Sequence, residues 1–147
     1  AKVGRYGCRM TAYKVMELGA LDTWQDFEGP IGKGKRFIDW DLETKYAGMS
    51  SNAADAGQSS PYWHTHSKEE ELYIFLSGKG QMGLNDEVVD VEAGTTVRVS
   101  PGTWSTWRCL PDSPEQLRFI VMRAGGGDLP RVGHDATMDK ERPLPGA

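Results

Sequence analysis

Two of the chain's three histidines lie one residue apart in the stretch SPYWHTHSKEEELYIFLSGKG, directly ahead of three consecutive glutamates. In an extended strand, residues i and i+2 point to the same face, so His64 and His66 would project together. After a short turn, Glu71 opens the next apolar run. Two imidazoles and one carboxylate form a ligand set that leaves positions open on an iron(II)-like ion. The spacing therefore predicts a metal site formed by His64, His66 and Glu71, and the alternative is a solvated strand end without chemistry.

The elements that must position these side chains are short β-strands. Glycine and proline, 18 and 8 in number, interrupt the sequence at short intervals, and between them lie seven runs rich in β-branched and aromatic residues. Such runs at near-regular spacing predict an all-β sandwich or barrel. The runs are KRFIDW, ELYIFL, GQMGL, EVVDV, TTVRVS, TWSTWRC and LRFIVMR.

Turn residues support the same interpretation. Asn85 and Asp86 tolerate positive φ and predict a tight hairpin, and Gly94 and Gly102 are expected to occupy further turns with positive φ. A helical pattern is found only in Ala12–Leu21, where a glycine weakens it.

The length of 147 residues suffices for one hydrophobic core. We expect an N-terminal segment over residues 1–30, a barrel over 31–124 and an extended, glycine- and proline-rich C-terminal tail over 125–147. We interpret His134, within this tail, as a solvated loop residue. The net charge of −4 disfavours nucleic acid and anionic membrane surfaces as partners.

Three further features of the sequence predict a cytoplasmic protein. No apolar run is long enough to span a bilayer, and the first ten residues, AKVGRYGCRM, lack the apolar core of a signal peptide. The two cysteines, Cys8 and Cys109, form no CxxC motif. A disulfide between them is not expected in a reducing compartment, and Cys109 is interpreted as an inert buried residue, with a soft fourth ligand as the alternative.

The spacing around the two histidines resembles the first motif of the cupin superfamily. It reads His64, one residue, His66, four residues, Glu71, six residues and Gly78. The resemblance implies that the barrel is an antiparallel double-stranded β-helix.

A second run resembles the second cupin motif, with three departures. The frame and both glycines, Gly94 and Gly102, are present, but Ser100 stands in the place of a proline, Ser105 in that of the last histidine and Cys109 in that of an asparagine. Fifteen residues separate the two motifs, which is similar to small single-domain cupins.

The resemblance implies one divalent ion, since cupins similar to this chain bind metal through three histidines and a glutamate. Ser105 leaves three ligands, which suffice for a catalytic metal because open positions admit substrate. The ion would be iron, manganese, nickel or zinc, in an enzyme of the dioxygenase, isomerase or lyase type acting on a small oxygenated molecule. The alternative is a non-catalytic small-molecule-binding module, with or without metal.

Several residues near the motifs share the faces of the predicted ligands. Because of the two-residue strand period, they are expected to line a pocket for a small organic ligand, with plain barrel core as the alternative. The expected pocket-lining residues are Tyr73, Phe75, Ser105, Trp107 and Cys109.

The segments AYKVMEL and KRFIDW would leave strand edges exposed in a single chain. Small cupins similar to this one often pair through such segments. We therefore expect a homodimer.

Overall fold

The protein is described by a computed structural model that covers residues 12–131 and 133–145. The elements in these residues, in chain order, are a 3₁₀ helix Leu21–Asp26, β1 Glu28–Gly29, β2 Gly32–Lys33, β3 Lys35–Phe37, helix α1 Ile38–Leu42, β4 Ala47–Ala54, β5 Trp63–His66, β6 Glu70–Ser77, β7 Lys79–Leu84, β8 Glu87–Glu92, β9 Thr96–Val99, β10 Ser105–Cys109, β11 Leu117–Ala124 and β12 Ala136–Asp139.

Ten of these strands form two five-stranded antiparallel sheets. One sheet has the order β12-β5-β10-β7-β8 and the other β3-β4-β11-β6-β9, while β1 and β2 pair with each other. The chain passes from one sheet to the other between β5 and β6, so these two consecutive strands face each other across the interior. This is the expected antiparallel double-stranded β-helix.

The core lies between the inner faces of the two sheets. Strand β6 alternates strictly, with Tyr73 and Phe75 buried while Leu72 and Ile74 are exposed. The Phe75 and Phe119 rings pack with their centres 5.0 Å apart. Burial of each such side chain contributes about 1.5–3 kcal/mol, so this stack fixes the strands that carry the site.

The predicted turns are confirmed. Asn85 has a φ of 52° between β7 and β8, and its side-chain oxygen accepts a hydrogen bond from the Trp104 backbone N–H at 3.0 Å. Gly94 and Gly102 have φ angles of 92° and 83°. These are left-handed conformations, which glycine adopts without steric cost.

The prediction of a helix over Ala12–Leu21 is wrong. Residues 12–20 form no helix, and the 3₁₀ helix begins at Leu21. Only the first half of KRFIDW is a strand, because the chain turns into α1 at Ile38. Two aspartates, Asp39 and Asp41, lie in the first turn of α1, where negative charge stabilises a helix.

The C-terminal segment is extended and joins the sheet. Strand β12 pairs with β5, and the carbonyl of Pro143 accepts a hydrogen bond from the Trp63 indole N–H at 3.1 Å. The Arg142 guanidinium lies 3.8 Å from the centre of that indole ring. A Cβ at Gly83 would collide with the same ring. The outer face of β5 is thus covered by chain that lies far away in sequence.

Within the described ranges, no helix has both the length and the hydropathy of a membrane span.

Candidate metal centre

Strand β5 carries His64 and His66 on one face, as the two-residue period predicts. Their rings lie 5.1 Å apart between centres. The strand is held on both sides, by β10 with Ser105 directly opposite His64 and by β12 with Ala136 opposite His66. Two-sided pairing fixes the backbone from which both imidazoles project.

Glu71 meets the histidines from the facing sheet. Its Oε1 lies 3.1 Å from Nε2 of His64, and its Oε2 lies 3.5 Å from Nε2 of His66. One ligand atom from each of the three residues lies within 4.8 Å of the others. This spacing suits coordination of one ion at about 2.0–2.3 Å from each donor atom. The structure therefore brings the three predicted ligands together.

The charges of the cluster are coupled. Burial favours the neutral form of Glu71, but hydrogen bonds from His64 and His66 outweigh it and lower the pKa of the carboxyl below its ordinary 4.5. Burial would lower the pKa of His66, yet its hydrogen bond to Glu71 and the charges of three carboxylates raise it above 6.5. In the metal-free cluster, the protonated form of His66 and the ionised form of Glu71 therefore stabilise each other.

Two further carboxylates lie on the other side of the His66 ring. Nδ1 of His66 is 3.1 Å from Oε2 of Glu69 and 3.5 Å from Oδ2 of Asp135. Histidines that bind metal through one ring nitrogen usually present the other to a carboxylate, which fixes the tautomer and orientation. Since Nε2 of His66 faces Glu71, the ring is oriented as a metal ligand requires. The residues present thus fit a divalent ion.

Asp135 fastens the C-terminal segment to the turn between β5 and β6. Its carboxylate accepts hydrogen bonds from the backbone N–H of Lys68 at 3.0 Å and of Glu69 at 2.9 Å, and from the Ser67 hydroxyl. Burial acts to raise the pKa of Asp135, but these hydrogen bonds together outweigh it and lower the pKa below its ordinary 3.8. The turn that precedes Glu71 is therefore ordered by a residue 66 to 68 positions further along the chain.

Glu69, Asp135 and His66 also form a group with metal-ligand spacing. Asp135 already accepts backbone and hydroxyl hydrogen bonds, and Glu69 lies 3.6 Å from Nε of Arg123. Glu69 and Asp135 therefore act on His66 through their negative charges, since Nδ1 of His66 makes no hydrogen bond of good geometry with a described residue. Neither residue was expected at the site from the sequence, because Asp135 is remote in sequence and Glu69 belongs to a run that resembles a charged surface turn.

The cluster opens into a cavity of about 90 Å³, large enough for several waters or a small organic molecule. Of the five expected pocket-lining residues, Tyr73 and Trp107 line it. Phe75 and Cys109 are fully buried in the core, away from its surface. Ser105 lies beside His64 with its side chain buried, and its Oγ makes no hydrogen bond of good geometry with a described residue.

The third histidine is not part of the cluster. His134 is exposed, while its neighbour Asp135 faces His66. Cys8 lies outside the described residues. Lys35 and Tyr62 also line the cavity, although no motif pointed to Lys35.

In the metal-free protein, His66 and Glu71 together are expected to stabilise the fold most between about pH 4.5 and 6.5. The contribution of His66 is present below pH 6.5 and is lost as pH rises through its raised folded-state pKa. The contribution of Glu71 is present above pH 4.5 and is lost as pH falls toward its lowered pKa.

Stabilisation by a metal ion should depend on pH in the opposite way, because a metal ion binds only the neutral form of imidazole. We expect added Zn²⁺ to raise the melting temperature more at about pH 7.5 than at about pH 5.5; an equal shift at both values would contradict this expectation.

Replacing Asp135 with asparagine should weaken metal binding without removing a ligand. The amide keeps an acceptor for the turn but removes a negative charge beside His66, so we expect a loss of affinity for Zn²⁺ of about tenfold. Asp128→Asn is the matched control, because Asp128 is exposed in the same segment. Isothermal titration calorimetry would measure both, and equal affinities would show that Asp135 does not act on the site.

Comparison with known families identifies the domain. Residues 54–123 match the family model described as Cupin domain. This part of the chain, which includes His64, His66 and Glu71, is therefore a cupin domain.

Three known proteins are similar to this chain. The uncharacterised protein MJ1618 of Methanocaldococcus jannaschii is 27% identical over 95 residues, which cover 63% of this chain and 70% of the relative. The crystal structure of a cupin protein, BF4112 of Bacteroides fragilis, superposes with a TM-score of 0.65 at 25% identity, covering 82% of this chain and 91% of that one. Pac13 of Streptomyces, a nucleoside dehydratase, shares the fold with a TM-score of 0.51 at 17% identity, covering 64% of this chain and 68% of its own.

Proposed function

We propose that this chain binds one divalent ion through His64, His66 and Glu71 and acts as a metal-dependent enzyme on a small oxygenated organic molecule. The observation that carries the proposal is the convergence of two Nε2 atoms and one carboxylate from facing sheets at the wall of a cavity. A three-ligand set leaves coordination positions for substrate or water.

The ion would be iron, manganese, nickel or zinc. When bound, it would supply Lewis-acid polarisation of a substrate oxygen or, for iron, oxygen chemistry. The fold alone does not select a reaction, because this barrel hosts unrelated activities. Pac13 illustrates that the fold accommodates an enzyme.

Two phenols of the cavity are suited to contact a substrate oxygen. Burial, together with the charge of Glu71, raises the pKa of both Tyr62 and Tyr73 above 10. Both therefore stay protonated at neutral pH and are hydrogen-bond donors. Tyr73 donates to Oε1 of Glu71 over a long 3.5 Å, so its hydroxyl would orient the carboxylate and lie close to a molecule that reaches the ion.

Aromatic walls complete the site. Trp107 packs edge-on against Phe119, with ring centres 5.3 Å apart, and both line the cavity. Such walls exclude bulk water from a bound ligand, and electrostatic interactions inside the cavity are thereby strengthened.

The test begins with metal analysis of protein purified without a chelator. A screen over small hydroxy acids, keto acids and enols then follows oxygen consumption and, by NMR, isomerisation or elimination. We expect turnover that chelation abolishes and added metal restores. Metal and ligand binding without turnover would favour the non-catalytic module, and the failure of any divalent ion to bind would end the proposal.

We also propose that the chain acts as a homodimer. Residues 12–18, AYKVMEL, pair with no strand of the described chain, and their Tyr13 and Val15 are 80% and 74% exposed. Strand β3 lies at the open edge of its sheet. A partner chain would cover both features. Light scattering should give the dimer mass at micromolar concentration, and a monomer mass would contradict this assembly. The expected cytoplasmic location stays a prediction.

A further inference from the structure

We propose that the molecule bound in this cavity is an anion with two polar ends, one at the His64, His66 and Glu71 cluster and the other an acid group paired with Lys35. The proposal rests on the proposed metal-dependent function and names the class of ligand for the same site.

Lys35 belongs to the inner face of the sheet that carries Glu71. It pairs with Asn52 of β4, which in turn lies opposite Phe119 of β11. All three residues line the cavity. Strand β3 is three strands away from β6 in the sheet order β3-β4-β11-β6. Lys35 therefore reaches the cavity from the edge strand of this sheet, with two strands between it and the strand that carries Glu71.

The ammonium group of Lys35 is not neutralised by a carboxylate among the described residues. Among the ion pairs and side-chain hydrogen bonds of the described residues, none includes Lys35; its Nζ lies 5.4 Å from the centre of the Phe37 ring. Arg123, another cation at the cavity, is already paired with Asp39 at 3.1 Å and approaches Glu69 at 3.6 Å. Arg131 also lines the cavity, but it is exposed to solvent, whereas Lys35 is partly buried. Lys35 is thus the partly buried cation of the cavity that has no ion pair among the described residues.

A partly buried cation without a partner is energetically unfavourable, and an incoming anion would remove that cost. Burial lowers the pKa of Lys35; the charge of Glu71 opposes this effect, and that of Arg123 adds to it. An acid group of the ligand would supply the missing compensation. Its hydrogen bond to an ammonium is of the strong, charge-assisted kind.

The charges on the two groups that a ligand would touch favour the same ligand. Glu71 would be the only anionic group bound directly to the divalent ion, because Glu69 and Asp135 lie on the Nδ1 side of the His66 ring, so the ion would keep an excess positive charge toward the ligand. Lys35, which also lines the cavity, is a second positive centre. A neutral ligand satisfies neither centre fully, whereas an acid with a chelating group at one end and a carboxylate at the other satisfies both.

The experiment compares two 2-hydroxy acids that chelate metal through the same group. Malate carries a second carboxylate and lactate does not. Binding of each acid to the Zn²⁺-loaded full chain is measured by calorimetry for the unmodified protein, Lys35→Met and the control Lys33→Met. Lys33 is exposed on β2. Thermal unfolding of all three proteins establishes that each is folded.

We expect malate to bind the unmodified protein and Lys33→Met at least about tenfold more tightly than lactate. In Lys35→Met the difference should fall to about twofold, while the affinities for lactate and Zn²⁺ stay unchanged. If Zn²⁺ binds but malate has no advantage, or if Lys35→Met keeps the advantage, the role of Lys35 is overturned and the proposed metal site stands. If Zn²⁺ does not bind, the proposed function itself fails.

Discussion

Replacing Glu71 with glutamine is expected to lower the affinity for a divalent ion by at least about 100-fold, equivalent to roughly 2.8 kcal/mol. The carboxylate supplies the only negative charge among the three proposed ligands, and its two oxygens face one Nε2 atom each. Glutamine keeps the shape and one acceptor oxygen but removes that charge. Calorimetric titration with Zn²⁺ measures the loss directly.

Glu70→Gln is the matched control for this experiment. Glu70 is adjacent and exposed at the start of β6, and the same charge is removed there without touching the histidines. The control should bind Zn²⁺ as the unmodified protein does. Equal affinities for all three proteins would show that Glu71 does not hold the ion.

Replacing Ser105 with histidine is expected to raise divalent-metal affinity by about tenfold or more. Ser105 lies directly opposite His64 on β10, so an imidazole there would project beside that of His64. Neutral imidazole is a far better ligand than a hydroxyl that keeps its proton. The added ligand would also take an open coordination position, so any metal-dependent turnover should fall or change in kind.

The same substitution should change stability in opposite directions with and without metal. Ser105 is only 1% exposed, and a larger side chain in a packed site costs about 1–3 kcal/mol. The metal-free variant should therefore melt at a lower temperature, and Zn²⁺ should restore more than the loss. Ser105→Ala controls for removal of the hydroxyl and should leave affinity unchanged. A folded Ser105→His protein with unchanged affinity would show that Ser105 does not occupy the fourth-ligand position.

The local spacing of residues was enough to predict that His64, His66 and Glu71 would lie together. His64 and His66 are separated by one strand period, and Glu71 follows within one turn, so their convergence depends on only eight consecutive residues. The alternation in ELYIFL placed Tyr73 on the inner face together with Glu71.

Features that depend on distant pairing could not be predicted in the same way. Strand β4, AGMSSNAA, lacks the β-branched and aromatic residues that mark strands, yet it is paired on both sides, by β3 and β11. Its small side chains fit a crowded central position in the sheet. Strand β4 is therefore formed because of its packing and pairing, and not because its residues have an intrinsic preference for the extended state. Asp135 reaches the site only because β12 adds to β5, a contact between segments about half the chain apart.

The position of Lys35 at the cavity could not be predicted from the sequence either. It lies in a run that correctly predicted a strand, but a lysine at a strand edge usually indicates solvent exposure. Only the register with Asn52 places it on the inner face. When a charged residue faces inward because of how its strand pairs with a distant segment, composition and periodicity do not predict it.

The measurement that tests the central claim most directly is anomalous X-ray diffraction from crystals of the chain loaded with Zn²⁺. The proposed function predicts one strong anomalous peak with Nε2 of His64, Nε2 of His66 and a carboxylate oxygen of Glu71 each about 2.0–2.3 Å away. A peak held instead by His66, Glu69 and Asp135, or no peak within the cavity, would contradict it.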